Sequence, residues 1–144
     1  IKTDAPLQAS FDALVSVVGV ADTSAVSLLS ELMVLPPTMS SRACVCHAGL
    51  DPQVFESGTS VHKAPRISRH GNKYLRAALY FPALTAGERD PLAKAFKQRL
   101  LVRGKKPMQA IVAIMRKLLT ALWVLVRHPQ PYDASKLYSI VKTA

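Results

Sequence analysis

Apolar residues recur at helical spacing along most of this chain, and turns rich in Pro, Gly or polar residues separate the periodic segments. After Pro107, the apolar positions fall on one face of a helix: Ile111, Ile114, Met115, Leu118, Leu122 and Leu125. Asp90-Pro91 predicts the start of another helix, since Asp suits the N-cap and Pro the first helical position, and Gly104 ends it. Strand signals are few. The chain is therefore predicted to be all-α, a compact multi-helix domain.

The N-terminal part of the chain predicts a helix-hairpin-helix-like unit over residues 9–35. A mostly apolar segment ends at Gly19, Asp22 or Thr23 caps a second helix, and Pro36-Pro37 ends it. Such a unit can offer backbone N–H groups at a helix N-terminus to a phosphate. The acidic side chain in the turn argues against this contact, so an ordinary helix hairpin is the alternative.

A long basic loop is predicted over residues 48–76. The stretch from Asp51 to His70 shows no strong periodicity, and only 53–55 and 66–68 indicate short extended pieces. Because long irregular segments inside a compact domain are uncommon, we expect this one to be functional or mobile.

The helical region of the C-terminal half is predicted over residues 71–142. It opens at Gly71-Asn72 and closes with a short helix over 134–141. Pro82 falls inside its first helix. Because proline lacks the N–H and clashes with the preceding turn, we expect Pro82 to kink this helix or end it early.

The charge of the chain is positive and unevenly distributed. Its 144 residues, the length of one domain, carry a net charge of +10. Between His62 and Arg127 there are fifteen Lys and Arg residues and two acidic ones, Glu88 and Asp90. Such a region usually meets an anion, either nucleic acid or an acidic membrane surface, while a generally basic protein without such a partner is the simpler alternative.

The cysteines and the apolar runs bear on where the protein works. Cys44 and Cys46 are too close in sequence for an ordinary disulfide and lack the four ligands of a zinc site. The longest apolar run, Leu118–Val126, is far short of a membrane span, and no segment has the pattern of a signal peptide. We therefore expect reduced thiols, no membrane partner and a cytoplasmic protein.

The predicted loop carries residues suited to a polyanion. The pair Ser57-Gly58 is followed by five spaced cations, with no acidic residue between Val61 and Arg76: Lys63, Arg66, Arg69, Lys73 and Arg76. The helix that starts at Gly71-Asn72 adds free N–H groups and a partial positive charge. We predict that these cations and Asn72 bind nucleic-acid phosphates, together with a second basic stretch at Lys105 and Lys106. A solvated basic face is the alternative.

Several segments, in this order, resemble the C-terminal domain of one family of insertion-sequence transposases. They are Ser16–Val20 with the helix Ala25–Leu32, the run Ala48-Gly-Leu-Asp-Pro52, the pair Ser57-Gly58, the run Arg66-Ile-Ser-Arg-His-Gly-Asn-Lys-Tyr-Leu-Arg76, and Leu100–Lys106. The family comprises DEDD-type transposases related to the Piv site-specific DNA invertase, including recombinases guided by a bridge RNA. The resemblance covers roughly residues 13–127.

The resemblance implies DNA strand exchange. In that family a RuvC-like N-terminal domain supplies four acidic residues that hold divalent metal, and the C-terminal domain supplies a serine nucleophile, which falls on Ser57 here. The cations after it would lie against the backbone of DNA or of a guide RNA. The chain opens with Ile1 rather than Met. We therefore expect residues 1–144 to be a single C-terminal domain without the RuvC-like domain and its Mg²⁺, from a recombinase that self-associates at full length.

Two other functions fit the same residues. One is a non-catalytic helix-hairpin-helix module that binds nucleic acid and in which Ser57-Gly58 is only a turn. The other is a helical protein–protein domain with an incidental basic face. No triad partner for Ser57 is evident, and the nine acidic residues are scattered, so we predict no metal site and no independent catalysis in this chain.

Overall fold

The computed structural model describes residues 4–58 and 61–138, apart from the side chains of residues 54–57 and 61–65. In chain order its elements are α1 (Ala5–Val15), α2 (Asp22–Met33), α3 (Ser41–His47), β1 (Pro52–Ser57), β2 (Val61–Ile67), α4 (Lys73–Arg89), α5 (Pro91–Val102), α6 (Pro107–Arg127) and α7 (Ala134–Leu137). The predicted all-α class is confirmed, since the only sheet in the described residues has two strands.

Helix α6 forms the centre of the core. It packs against α1, α3, α4 and α5, and its apolar stripe is buried from Ala110 to Val126. By length and composition alone α6 could cross a membrane, with a mean hydropathy of 1.7 over its most apolar window. More than half of that window is buried inside the domain, at 56%. Its apolar character is therefore accounted for by its central position in the core.

The α1–α2 unit packs through its turn against α4. Gly19 has a φ of +99°, and a Cβ atom there would lie 2.5 Å from the carbonyl oxygen of Pro82. The predicted cap of α2 is wrong, because Ala21 occupies the N-cap and makes no side-chain hydrogen bond. Asp22 is instead the first helical residue, where its carboxylate suits the positive end of the helix dipole. Phosphate binding at this turn stays a prediction.

Helix α4 does not end early at Pro82. It continues to Arg89, and Pro82 is buried together with Leu79 and Ala83. The proline removes one hydrogen bond from the helix, but burial of these neighbouring apolar residues stabilises the helical path. At its N-terminus the helix starts as predicted, with Asn72 as its N-cap.

The segment predicted as a long basic loop contains an antiparallel β-hairpin. Pro52 pairs with Ile67 and Ser57 pairs with Val61, and the two expected extended pieces lie largely within its strands. The register shifts between Gln53 and Phe55, so that the β2 strand has one extra residue in the region of Pro65. Proline is tolerated in strands at bulges, where its missing N–H leaves no ladder bond unmade.

The elements after α4 match the predicted pattern of caps. Asp90 is the N-cap of α5, and its Oδ1 accepts from the N–H groups of Leu92 and Ala93. The last predicted helix, over 134–141, is α7 (Ala134–Leu137) in the described residues. Residues 139–142 of the predicted helical region lie outside the described residues.

Candidate nucleic-acid interface

The base of the hairpin is held by the turn that follows α3. The N–H of Arg69 donates to the carbonyl oxygen of Gly49 at 3.1 Å, and that of Asn72 donates to the carbonyl oxygen of His47 at 2.8 Å. We call residues 47–51 and 68–72 together the brace. Its backbone hydrogen bonds fix the path of the chain between β2 and α4, which carries two of the predicted phosphate-binding residues, Arg69 and Asn72.

Two glycines allow the close approach of the two halves of the brace. Gly71 has a φ of +140°, and a Cβ atom there would lie 2.2 Å from the carbonyl oxygen of His47. Gly49 has a φ of +69°, and a Cβ atom there would meet the carbonyl oxygen of His70 at 2.8 Å. Arg69 also has a positive φ, +54°, which is uncommon for a residue with a side chain. The exposed side chain of Arg69 is therefore directed by a constrained backbone.

The structure gives Asn72 a structural position. Its Oδ1 accepts from the N–H groups of Tyr74 and Leu75 at 2.9 and 3.0 Å, which caps α4. Its Nδ2 donates to Oε2 of Glu31 at 2.5 Å, which connects α4 to α2. The Asn72 side chain thus accepts hydrogen bonds from two N–H groups of α4 that were expected to face a phosphate. Nucleic-acid contact by Asn72 stays a prediction.

Two predicted cations on α4 differ in their surroundings. The guanidinium of Arg76 is half-buried, and its Nη1 donates to the carbonyl oxygen of Ala48 at 3.0 Å. Lys73 is exposed, with its Nζ 5.1 Å from the ring centroid of Tyr74, whose own exposed fraction is 64%. Arg76 therefore stabilises the brace, whereas Lys73 and Tyr74 present a cation and a ring to solvent at the start of α4.

A groove of about 1070 Å³ separates the base of the hairpin from the start of α6. Four exposed cations line it, one from β2, one from the brace, one from the α5–α6 connection and one from α6: Arg66, Arg69, Lys105 and Arg116. His70 and two glutamines, Gln53 and Gln109, also line it, and none of the described lining residues is acidic. We call this feature the basic groove.

The remaining lining of the basic groove is mostly apolar. It includes Ile67 from β2, Leu100 from α5, and Met108, Val112 and Ala113 from α6. The α6 residues recur at helical spacing, which places them and Arg116 on one face of that helix. The first turn of α6 adds a partial positive charge to this end of the groove. The groove therefore combines apolar surface with four positive charges.

The structure brings together part of the predicted site. Arg66, Arg69 and Lys105 line the basic groove, although Lys105 is far from the other two in sequence. Asn72, Lys73, Arg76 and Lys106 are not among the residues that line it. Arg116 was missed by sequence reasoning. The available signal was its position as a charged residue in the mostly apolar run of α6, on the same face as Met108 and Val112.

Ser57 is the last residue of β1, at the far end of the hairpin from the groove. It pairs with Val61, and Gly58 follows with a φ of +64° in the turn. A strand of six residues spans roughly 17 Å from Pro52 to Ser57. In the described part of the chain, the backbones of β1 and β2 lie close to each other and to no helix. The structure does not describe the side chains of Ser57 and Lys63, so the predicted roles of these two residues stay predictions.

The described residues include no group of three or more His, Cys, Asp or Glu side chains that could hold a metal ion. Both thiols are free, with Cys46 exposed and Cys44 buried, and burial raises the pKa of the Cys44 thiol to about 11. Neither thiol lines the groove. The part of the chain that is described therefore offers cations, amides and apolar surface for binding.

Comparison with known proteins identifies relatives of this chain. The sequence model of the transposase IS116/IS110/IS902 family matches residues 12–98. A pilin gene-inverting protein of Moraxella lacunata is 40% identical over 95 residues, which cover 65% of this chain and 30% of that protein. An uncharacterized 43.6 kDa protein of the insertion element IS110 in Streptomyces coelicolor is 31% identical over 88 residues, which cover 61% of this chain and 22% of that protein.

A third relative has a similar extent. An uncharacterized 42 kDa protein of the insertion element IS900 in Mycobacterium paratuberculosis is 33% identical over 85 residues, covering 59% of this chain and 21% of that protein. The matched part of the chain thus spans less than a third of the length of these curated relatives. The family match includes the brace, the hairpin, and the Arg66 and Arg69 side of the basic groove. This chain belongs to the transposase IS116/IS110/IS902 family.

Proposed function

We propose that this chain is the DNA-binding, serine-bearing domain of a transposase or site-specific recombinase, with Ser57 as its nucleophile. The observation that carries the proposal is the family match, which spans the Ser57-Gly58 turn and the cations after it. The relative named as a pilin gene-inverting protein supports DNA inversion or transposition as the type of reaction. The position of Ser57 at the tip of a hairpin supports a residue that reaches away from the helical body.

The proposed reaction transfers a DNA phosphoryl group to serine and back. The Ser57 hydroxyl oxygen attacks the phosphorus of a phosphodiester, loses its proton, and expels one strand end as a free hydroxyl. A phosphoserine diester results. The hydroxyl of a second strand end then attacks that phosphorus, and Ser57 leaves and regains a proton. One phosphodiester replaces another at each step, so no external energy source is required.

A serine hydroxyl needs a base or a metal ion to act as a nucleophile. The described residues do not fit a metal site, because they contain no suitable cluster of ligands. We therefore propose that activation comes from a DEDD-type, RuvC-like domain with bound Mg²⁺, carried elsewhere in the full-length protein. A serine roughly 17 Å from the hairpin base could reach into such a site on another domain or another subunit.

The proposed partner is DNA, and the basic groove is the surface that would bind it. The proposal also includes self-association of the full-length recombinase, because strand exchange joins ends from two sites. It further includes a guide RNA as a partner, because the same cations suit an RNA backbone. A cytoplasmic location, proposed from the free thiols Cys44 and Cys46, is compatible with these partners.

Replacement of Ser57 in the full-length parent protein tests the catalytic part. We expect Ser57→Ala to abolish strand exchange and to leave DNA affinity within about threefold of the wild type, because only the reacting oxygen is lost. Ser60→Ala, three residues further along the sequence, is the matched control and should retain recombination. A suicide DNA substrate should trap a phosphoserine adduct on the wild type and none on Ser57→Ala. Recombination by Ser57→Ala would overturn the assignment.

A second candidate function, a non-catalytic nucleic-acid-binding module, is favoured by the basic groove itself. The groove is complete without Ser57, and two predicted phosphate-binding residues, Asn72 of the brace and Arg76 of α4, make internal hydrogen bonds. Under this reading, Arg69→Ala weakens binding without any effect on covalent chemistry. Failure of the suicide substrate to trap an adduct on the wild-type parent, with DNA binding retained, would favour this function.

A further inference from the structure

The basic groove has a lining that differs from that of a surface for duplex DNA. Duplex backbones present charged phosphates, and burial of a phosphate against apolar side chains carries a desolvation penalty. Ile67, Met108 and Val112 nevertheless line the groove together with the four cations. Met108 remains 56% exposed although it is a large apolar side chain. A ligand that offers both an apolar face and a negative charge would match this combination.

An unpaired nucleotide has these two properties. Its base presents apolar faces, and its phosphate presents the charge, so proteins that bind single strands combine a cationic groove with surfaces on which bases pack. In the basic groove, the flat guanidinium groups of Arg66, Arg69 and Arg116 can also stack on a base. The volume of about 1070 Å³ is at the upper end of the usual range for ligand pockets and leaves room for a short run of nucleotides.

The lining favours DNA over RNA as the source of that strand. Recognition of RNA uses polar contacts to the 2′-hydroxyl. Two of the uncharged polar side chains in the groove already have partners within the protein. The hydroxyl of Ser68 donates to Oδ1 of Asp51 at 2.8 Å, and Oε1 of Gln109 accepts from the N–H of Lys106 at 2.9 Å. Apolar side chains such as Met108 instead suit the methyl group of thymine.

We propose that the basic groove binds an unpaired DNA strand, with bases against the Met108 and Val112 face of α6 and phosphates against Arg66, Arg69, Lys105 and Arg116. The inference rests on the proposed function, since strand exchange opens the duplex near the cleavage point. The hairpin connects the groove to Ser57, so a strand held in the groove would lie at the base of the element that carries the serine.

The test measures equilibrium binding of fluorescein-labelled oligo(dT) to the 144-residue chain. The oligonucleotide has about twelve nucleotides, a length typical of single-strand sites. A hairpin duplex of equal phosphate count and an oligo(U) of equal length are the comparison probes. We expect oligo(dT) to bind at least about fivefold more tightly than either. Equal or tighter binding of the duplex would overturn the proposal, and tighter binding of oligo(U) would overturn the choice of DNA.

Two pairs of variants locate the binding in the groove. Met108→Ser removes apolar surface in the groove without a change of charge, and Val102→Ser removes a similar surface at a residue that is 86% exposed and outside it. Arg116→Ala removes a groove cation, and Lys94→Ala removes an exposed cation of α5 that does not line the groove. We expect each groove variant to weaken oligo(dT) binding about fivefold and each control less than about twofold.

Circular dichroism of the four variants shows that each is folded before binding is measured. Equal effects of Met108→Ser and Val102→Ser, with both folded, would overturn the apolar part of the proposal. Because binding is measured without cleavage, a failure of Ser57 as nucleophile in the suicide-substrate experiment would leave these results unaffected. Loss of the single-strand preference would likewise leave the serine assignment intact.

Discussion

Arg76 on α4 donates from Nη1 to the carbonyl oxygen of Ala48, 3.0 Å away, and so connects α4 to the turn that ends α3. Gly49 lies directly against the same guanidinium, since a Cβ atom at Gly49 would be 2.8 Å from Nη1. This contact holds residues 47–51 of the brace against α4, the helix that directly follows residues 68–72. A residue predicted from sequence to bind phosphate thereby supports the surface on which other cations lie.

Replacement of Arg76 is expected to affect stability more than binding. Arg76→Ala should lower the free energy of unfolding by about 1.5–3 kcal/mol, the range for hydrogen bonds to charged groups. Arg89→Ala, which removes an exposed arginine from the same helix, should change it by less than about 0.5 kcal/mol. Urea denaturation measures both. Unchanged stability together with a large loss of DNA affinity would show that Arg76 contacts DNA directly.

Replacement of Gly71 and of Gly104 separates the cost of backbone strain from the cost of a steric clash. Gly71 and Gly104 both have positive φ, at +140° and +84°, but an added Cβ would clash at Gly71 and would meet nothing within 4 Å at Gly104. Gly104→Ala should therefore lower the free energy of unfolding by about 1–2 kcal/mol, the cost of a left-handed conformation. Gly71→Ala should lower it by more, by at least about 3 kcal/mol, or prevent folding. Equal losses in thermal unfolding would contradict the close packing of the brace.

The salt dependence of binding reports how many groove cations contact phosphate. If Arg66, Arg69, Lys105 and Arg116 each neutralise one phosphate of a single strand, the logarithm of the binding constant should fall against the logarithm of salt concentration with a slope of about −2.8. Arg116→Ala should reduce the slope to about −2.1, and Lys94→Ala should leave it unchanged. Fluorescence anisotropy over a salt series gives the slope. A slope near zero would exclude phosphate binding by the groove.

The two thiols should differ sharply in reactivity. Burial raises the pKa of Cys44 to about 11, whereas Cys46 is exposed. At a pH of about 8, where an unfolded thiol with a pKa of about 8.5 is partly ionised, one thiol per native chain should react rapidly with a disulfide reagent. Cys46→Ser should remove this fast phase, and addition of denaturant should then expose Cys44. Rapid labelling of native Cys46→Ser would show that Cys44 is accessible.

The sign of the Cys44 shift also sets the pH window for that experiment. Because the folded pKa lies above that of the unfolded thiol, ionisation of Cys44 favours the unfolded chain as pH rises from about 8.5 toward 11. The stability that this residue gives is fully present below that window. Labelling at a pH of about 8 therefore measures accessibility in the native state.

Local signals predicted the helices well and the hairpin poorly. Asp90-Pro91 and Gly104 bound α5 because caps and breakers act within a few residues of the helix they limit. In the hairpin, Pro65 interrupts the alternating pattern, and the backbones of the two strands lie close to each other and to no helix, although the side chain of Ile67 at the end of β2 packs against the core. Because the hairpin extends away from the helices, its sequence has little need to alternate apolar and polar residues, and periodicity gave little evidence for it.

In the candidate site as well, residues close together in sequence were predicted and a residue distant in sequence was not. Arg66 and Arg69 were predicted together because they belong to one basic run, but Arg116 lines the groove from a helix that is more than forty residues away in sequence. Only the packing of α6 in the core turns that side chain toward the base of the hairpin. Asn72 was assigned to phosphate from its position at a helix N-terminus, but its side chain caps that helix itself.

The bulge near Pro65 has a consequence for the solubility of the domain. A two-stranded hairpin leaves both strands with an outer edge, and exposed edges are templates on which other chains add strands and aggregate. Proline has no N–H to offer to an incoming strand, and the bulge interrupts the regular spacing of the groups beside it. The irregularity that hides the hairpin in the sequence therefore also protects it from edge-to-edge association with copies of itself.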